Sequence, residues 1–207
     1  MNYLSTHWLE LFAVITAIIY LYFSINRKSW LWVLGIISSG VFTVVFFRHS
    51  LYADMILNLY YVFVSIYGWI TWTTNKEAYH SETHQIDILR ITKKEVHNMI
   101  FFGVILFFII FIPIKYMPKI LNINSASLPL IDSILTTLSF VATWMLVKRY
   151  LEQWYLWIVV NGFYILVYGY KGLYFTVILN IVYTIMSVLG YIKWRKSLTI
   201  IKIEDRI

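Results

Sequence analysis

Apolar residues run along this chain in long blocks separated by short clusters of charge. Seven blocks are long enough for a helix to cross about 30 Å of hydrocarbon at about 1.5 Å per residue. They lie near 8–25, 30–47, 51–72, 98–116, 130–147, 154–170 and 173–193. The strict alternation of a lipid-facing barrel is missing, and backbone groups inside a bilayer must be satisfied within the segment. The pattern therefore predicts an all-α membrane protein of seven transmembrane helices. The first block is preceded by no basic residue and followed by no small-residue cleavage site, so a helix is expected there and not a signal peptide.

Sliding the sequence against itself by 122 residues aligns the first three blocks with the last three without a gap. Arg27 meets Arg149, Trp32 meets Trp154, Gly40 meets Gly162, Asn58 meets Asn180, and Tyr61 meets Tyr183. Ser65 meets Ser187, Gly68 meets Gly190, Trp72 meets Trp194, and Glu10 meets Asp132 as another acid. Chance explains matched Leu and Ile, but not Trp, Asn, Gly and Arg in one register. Two three-helix units in tandem would point in opposite directions, so the fourth block reverses the chain and leaves them parallel. The expected organisation is a single membrane domain in a 3+1+3 arrangement. Its parts are a first repeat over 8–72, a cytoplasmic loop over 73–97, a linker helix over 98–116, a second repeat over 130–194 and a cytoplasmic tail over 195–207.

Charge sets the orientation. The odd-numbered connections and the tail hold Arg27, Lys28, Lys76, Arg90, Lys93, Lys94, Lys148, Arg149, Lys193, Arg195, Lys196, Lys202 and Arg206, 13 in all; the opposite side holds only Arg48, Lys115, Lys119 and Lys171. The positive-inside rule puts the N-terminus outside and the C-terminus in the cytoplasm. Topology and anionic lipid account for the net charge of +7 without a nucleic-acid partner. With 60% apolar residues and a mean hydropathy of +0.72, the solvent is mostly the lipid bilayer. Aromatics at 19% fit interfacial belts.

Polar residues at membrane depth are costly and face protein or a cavity, so their spacing marks where a cavity lies. Asp54, Asn58, Tyr61 and Ser65 share one face of the third helix, as Thr176, Asn180, Tyr183 and Ser187 do on the seventh. Asp132, Thr136, Ser139 and Thr143 do so on the fifth, and Trp154, Trp157 and Asn161 on the sixth. Each Ser or Thr serves either a site or hydrogen bonds between helices. The carboxylates of Glu10, Asp54 and Asp132 serve either function or favourable placement near helix ends. Trp154 is either an interfacial ring or, with Trp157, a stacking platform for a planar cation backed by the Asn161 amide. Glu152 has the spacing for an ion pair with Arg149. There is no Cys and no phosphate-binding glycine loop, and the five His fall at helix ends or in connections. A metal, a cofactor, an ATPase motor and an enzymatic centre are therefore not expected.

Leu-Tyr-Ala-Asp at 51–54, Ile-Tyr-Gly-Trp at 66–69 with Trp72, Asp132-Ser133, Lys148 to Tyr150, and Glu152-Gln153-Trp154-Tyr155-Leu156-Trp157 together resemble the PnuC family of nicotinamide riboside transporters over nearly the whole length. The resemblance implies a fold similar to full-length SWEET-type sugar transporters. It also implies homotrimers in the bacterial inner membrane and facilitated uptake of the vitamin, which is trapped inside by phosphorylation. It places the family's Trp-x-x-Trp motif on Trp154 and Trp157, with Asn161 adjoining. Asn58, Asn180, Tyr183, Thr143 and Tyr61 become substrate-binding candidates, and Asp54, Asp132 and Thr136 further ones. Asn58 and Thr143 stand where riboside transporters commonly carry Gln, and Asn180 where they often carry Tyr. Thiamine, the vitamin associated with the similar PnuT proteins, is the alternative ligand, and a membrane vitamin sensor the alternative class.

Overall fold

The computed structural model describes residues 15–48, 52–74, 79–80, 85–121, 128–170, 172 and 174–204. Helix α1 is described over Ile15–Ile25, so Glu10 and the expected start of this helix lie outside the described residues. The others are α2 (Trp30–Arg48), α3 (Tyr52–Thr74), α4 (Lys93–Leu121), α5 (Pro129–Val147), α6 (Gln153–Tyr170) and α7 (Tyr174–Glu204). The expected blocks match these helices closely.

Three boundaries differ, each for a local reason. Helix α4 begins at Lys93 and not at 98 because Thr92-Lys93-Lys94-Glu95 is a capping box. The Thr92 amide donates to the Glu95 carboxylate at 2.9 Å, and the Glu95 amide donates to the Thr92 hydroxyl at 3.3 Å. Helix α7 continues to Glu204, where a tail was expected, because its basic residues are good helix formers once in water. The connection expected to be all loop contains a short antiparallel pair, β1 (Tyr79–His80) with β2 (Gln85–Ile86), in a fold that is otherwise helical.

Among the described residues, three helices, Lys93–Tyr116, Pro129–Val147 and Thr176–Leu198, are long and apolar enough to span a bilayer by length and composition alone. Helices α3 and α6 fall short of that test while long enough to cross, since their Trp, Tyr and Asn lower the mean. Spans that carry a polar stripe are the ones hydropathy undervalues.

The chain forms two compact units, 1–87 and 88–207. In the first, α2 packs along α3; in the second, α4 packs on α5, α5 on α6 and α6 on α7. The same local devices occur in both. In the first unit Trp32 and Trp72 are buried edge to face, with ring centres 5.4 Å apart at 89°. In the second, Trp154 and Trp194 sit 5.5 Å apart at 90°. A Cβ on Gly68 would lie 2.5 Å from the Trp32 ring, and one on Gly190 2.6 Å from the Trp154 ring, so each glycine admits its indole. Gly190→Ala should cost about 1–3 kcal/mol by overpacking a rigid ring. The midpoint of detergent-induced unfolding would show it.

The turns recur as well. Arg27 and Arg149 are the described non-glycine residues with positive φ, 55° and 63°. Each occupies the left-handed position of a Schellman turn. The Arg27 and Lys28 amides donate to the Ser24 and Phe23 carbonyls; the Arg149 and Tyr150 amides donate to those of Leu146 and Met145. Glycine would be easier in that conformation. Both arginines are nearly buried, so their side chains are held in the structure and not merely tolerated. Burial works against the Arg27 charge, and the Asp87 carboxylate offsets it.

Candidate functional site

The expected site residues divide between the units. Asp54, Asn58 and Tyr61 belong to α3 of the first. Asp132, Thr136 and Thr143 on α5, Trp154, Trp157 and Asn161 on α6, and Asn180 and Tyr183 on α7 belong to the second. In the first unit Asn58 and Tyr61 are half-buried, with Tyr61 close to Tyr20 of α1. The Asp54 side chain lies outside the described part. A cleft of about 710 Å³ in this unit is lined by Tyr22, Asn26, Lys28, Trp30, Trp69 and Thr73 among others, with none of the expected site residues among the described lining.

The second unit brings a polar stripe together on α6. Gln153, Trp157, Asn161, Tyr164 and Tyr168 stand at i, i+4, i+8, i+11 and i+15 and so follow one helical face. Tyr164 and Tyr168 stack with centres 5.3 Å apart at 20°. The Tyr164 phenol lies beside the Thr136 and Ser139 hydroxyls, and Tyr168 is within electrostatic reach of Asp132. The α5 stripe thus faces the α6 stripe. Asn161 is 7% exposed. Trp157 is half-buried.

Trp154 is placed differently from Trp157. It is 1% exposed, its ring is packed by Trp194 and Gly190, and its Nε1 has no hydrogen-bond partner among the described residues. Trp32 has the same surroundings and the same unpaired Nε1. On α7, the Asn180 amide donates to the Thr176 carbonyl at 2.8 Å, and Tyr183 is half-buried. The hydroxyls of Thr136, Ser139 and Thr143 donate to carbonyls four residues back, at 2.7, 2.9 and 2.8 Å. Hydrogen bonds between helices were the expected structural use of these groups. Their protons are spent inside α5, which leaves oxygen lone pairs facing outward.

The end of this unit is latched. Leu89 bridges Tyr150 in parallel, through the Leu89 amide to the Arg149 carbonyl and the Leu151 amide to the Leu89 carbonyl, both 3.0 Å. The Tyr150 phenol donates to Glu95, and burial together with this carboxylate pushes the phenol up to about 12. Glu152, expected to pair with Arg149, accepts from the Ile91 amide at 3.1 Å. A part-buried carboxylate that accepts a backbone N–H makes a charge-assisted hydrogen bond, stronger than one between neutral groups.

Where the units differ is as informative as where they agree. The α2 positions matching Gln153, Trp157 and Asn161 hold Leu31, Gly35 and Ser39. A Cβ on Gly35 would stand 2.5 Å from the Ser65 hydroxyl, so no ring fits there. Indole and glycine packing positions are alike in both units, while the α6 stripe is peculiar to the second. Sequence reading missed Gln153, Tyr164 and Tyr168; the i+4 and i+3 steps on either side of Trp157 and Asn161 were the signal available.

A family profile described as nicotinamide mononucleotide transporter matches residues 7–196. The chain belongs to this family. The nicotinamide riboside transporter PnuC of Escherichia coli K12 is 22% identical over 92% of this chain and 86% of its own length. That of Neisseria mucosa is 29% identical over 91% and 72%. A crystal structure of the vitamin B3 transporter PnuC superposes with a TM-score of 0.66 at 26% identity, covering 92% of this chain and 81% of that one. Family membership makes the chain a helical membrane protein of a transporter family, consistent with its apolar helices.

Proposed function

We infer that this protein mediates facilitated uptake of nicotinamide riboside or a closely similar cationic vitamin. The observation that carries this is the α6 stripe, with an indole and a nearly buried amide one turn apart, in a chain whose named relatives transport nicotinamide riboside. Trp157 offers its face to the pyridinium, and Asn161 and Asn180 offer amides to ribose hydroxyls. Thr143, Thr136 and Tyr183 supply further oxygens, and Asp132 negative potential. Trp154 supports the stripe from behind.

The family name and the relatives' names differ by one phosphate. A phosphate needs cationic partners, yet α5 and α6 contain no Lys or Arg, and those of α7 begin only at Lys193, nearly three turns beyond Tyr183. The dephosphorylated vitamin fits the stripe better. The shorter Asn58 in place of the usual Gln favours thiamine as a second reading. The decisive experiment is calorimetric titration of the purified protein with riboside, mononucleotide, thiamine and thiamine phosphate. Riboside is expected to bind tightest, and thiamine binding alone would replace this reading by the second.

The surrounding proposals are a 3+1+3 parallel repeat, supported by the recurring indole pairs and arginine turns, and a homotrimer in the bacterial inner membrane with riboside trapped by phosphorylation inside. The orientation has the N-terminus outside. A reporter active only after export, fused after Ile207, is expected to stay silent; activity would invert the topology.

A further inference from the structure

One fully buried polar side chain of the second unit is left unused by the proposed binding mode. Gln153 is 0% exposed at the start of α6, and both its Nε2 and its Oε1 lack a hydrogen-bond partner among the described residues. A buried amide left unmade at both atoms is destabilising, and such groups in native structures have a reason. Packing does not require it, because the corresponding Leu31 is also 0% exposed beside the equivalent Trp32–Trp72 pair. Hydrocarbon fills this position in one unit; an amide fills it in the other. The amide stands one helical turn before Trp157 on the same stripe, two turns from Asn161.

We propose that Gln153 is a specificity residue that reads the primary carboxamide of the cargo as it passes Trp157. Its Nε2 and Oε1 present a donor beside an acceptor. A primary carboxamide presents the complementary acceptor and donor, so the two close a pair of parallel hydrogen bonds. The amide is enclosed in this conformation, and a carrier that opens alternately to its two sides uncovers in one state what it encloses in another. The unpaired state stored in the closed form is then satisfied by cargo in the open one. The proposal rests on the riboside reading of the same site.

The test compares Gln153→Leu with wild type against three ligands: nicotinamide riboside, nicotinate riboside, in which a carboxylate replaces the carboxamide, and pyridine riboside, which lacks the group. Wild type should prefer the carboxamide ligand over pyridine riboside by about tenfold or more, the scale of one to two hydrogen bonds to buried groups. Gln153→Leu should bring that ratio close to one, leave pyridine riboside affinity unchanged, and unfold at the same temperature as wild type or higher. A preserved ratio overturns the assignment. Equal weakening of all three ligands with a lowered unfolding temperature also overturns it, since it marks an amide held by buried water within the fold. Should wild type bind none of the ribosides, the functional reading fails with it; a wild type that binds them while the variant keeps its ratio defeats the Gln153 assignment alone.

Discussion

Trp154→Ala should cost the fold about 3–5 kcal/mol, the range for truncating a fully buried tryptophan. The ring is 1% exposed and edge to face with Trp194, and the Gly190 backbone lies where a Cβ would collide with it. Removing it leaves a cavity whose walls are another indole and a helix backbone, neither of which can collapse far. Trp72→Ala should cost a similar amount in the first unit, because Trp72 meets Trp32 at almost the same distance and angle. The measurement is the midpoint of unfolding in mixed micelles for both variants. A stable Trp154→Ala protein that has lost only its ligand would mean that the indole faces the cargo.

This pairing shows how far the sequence could be read. The 122-residue register exposed Trp32, Trp72, Gly68 and their mates as special, and the helices followed from block length alone, because apolar length is a one-dimensional property. Which face each indole turns is not. Trp154 and Trp157 are three residues apart, and a Trp-x-x-Trp motif reads as one platform. In the structure one ring fills the interior against α7 while the other is half-buried on the polar stripe. Trp72 has the look of a boundary residue in sequence and is buried. Gly40 and Gly162 match in register yet have open space around them, so register alone does not reveal a packing role. Gln153 was hidden for a related reason: burial without a partner is visible only once neighbours are placed, and in sequence a Gln beside a charged turn passes for a solvated residue.

Trp157→Ala should weaken riboside binding by about 1–2 kcal/mol, the size of a desolvated cation–π contact, with unfolding changed far less than in Trp154→Ala. The corresponding position in the first unit is Gly35, where Ser65 leaves no room for a ring, so the fold has no general need of an indole here. Trp157 is half-buried and stands one turn from Gln153 and one from Asn161 on the same helical face. The charge contribution separates from simple contact by using the reduced, uncharged dihydro form of the riboside, which has nearly the same outline. Trp157→Ala should lose more affinity for the cation than for the neutral form, and Trp157→Phe should recover part of the difference, since a smaller π-face still attracts positive charge. Titration of both ligands against the three proteins gives the answer. Equal losses for cation and neutral form would reduce Trp157 to a hydrophobic wall, and no loss for either would place the cargo on another face of α6.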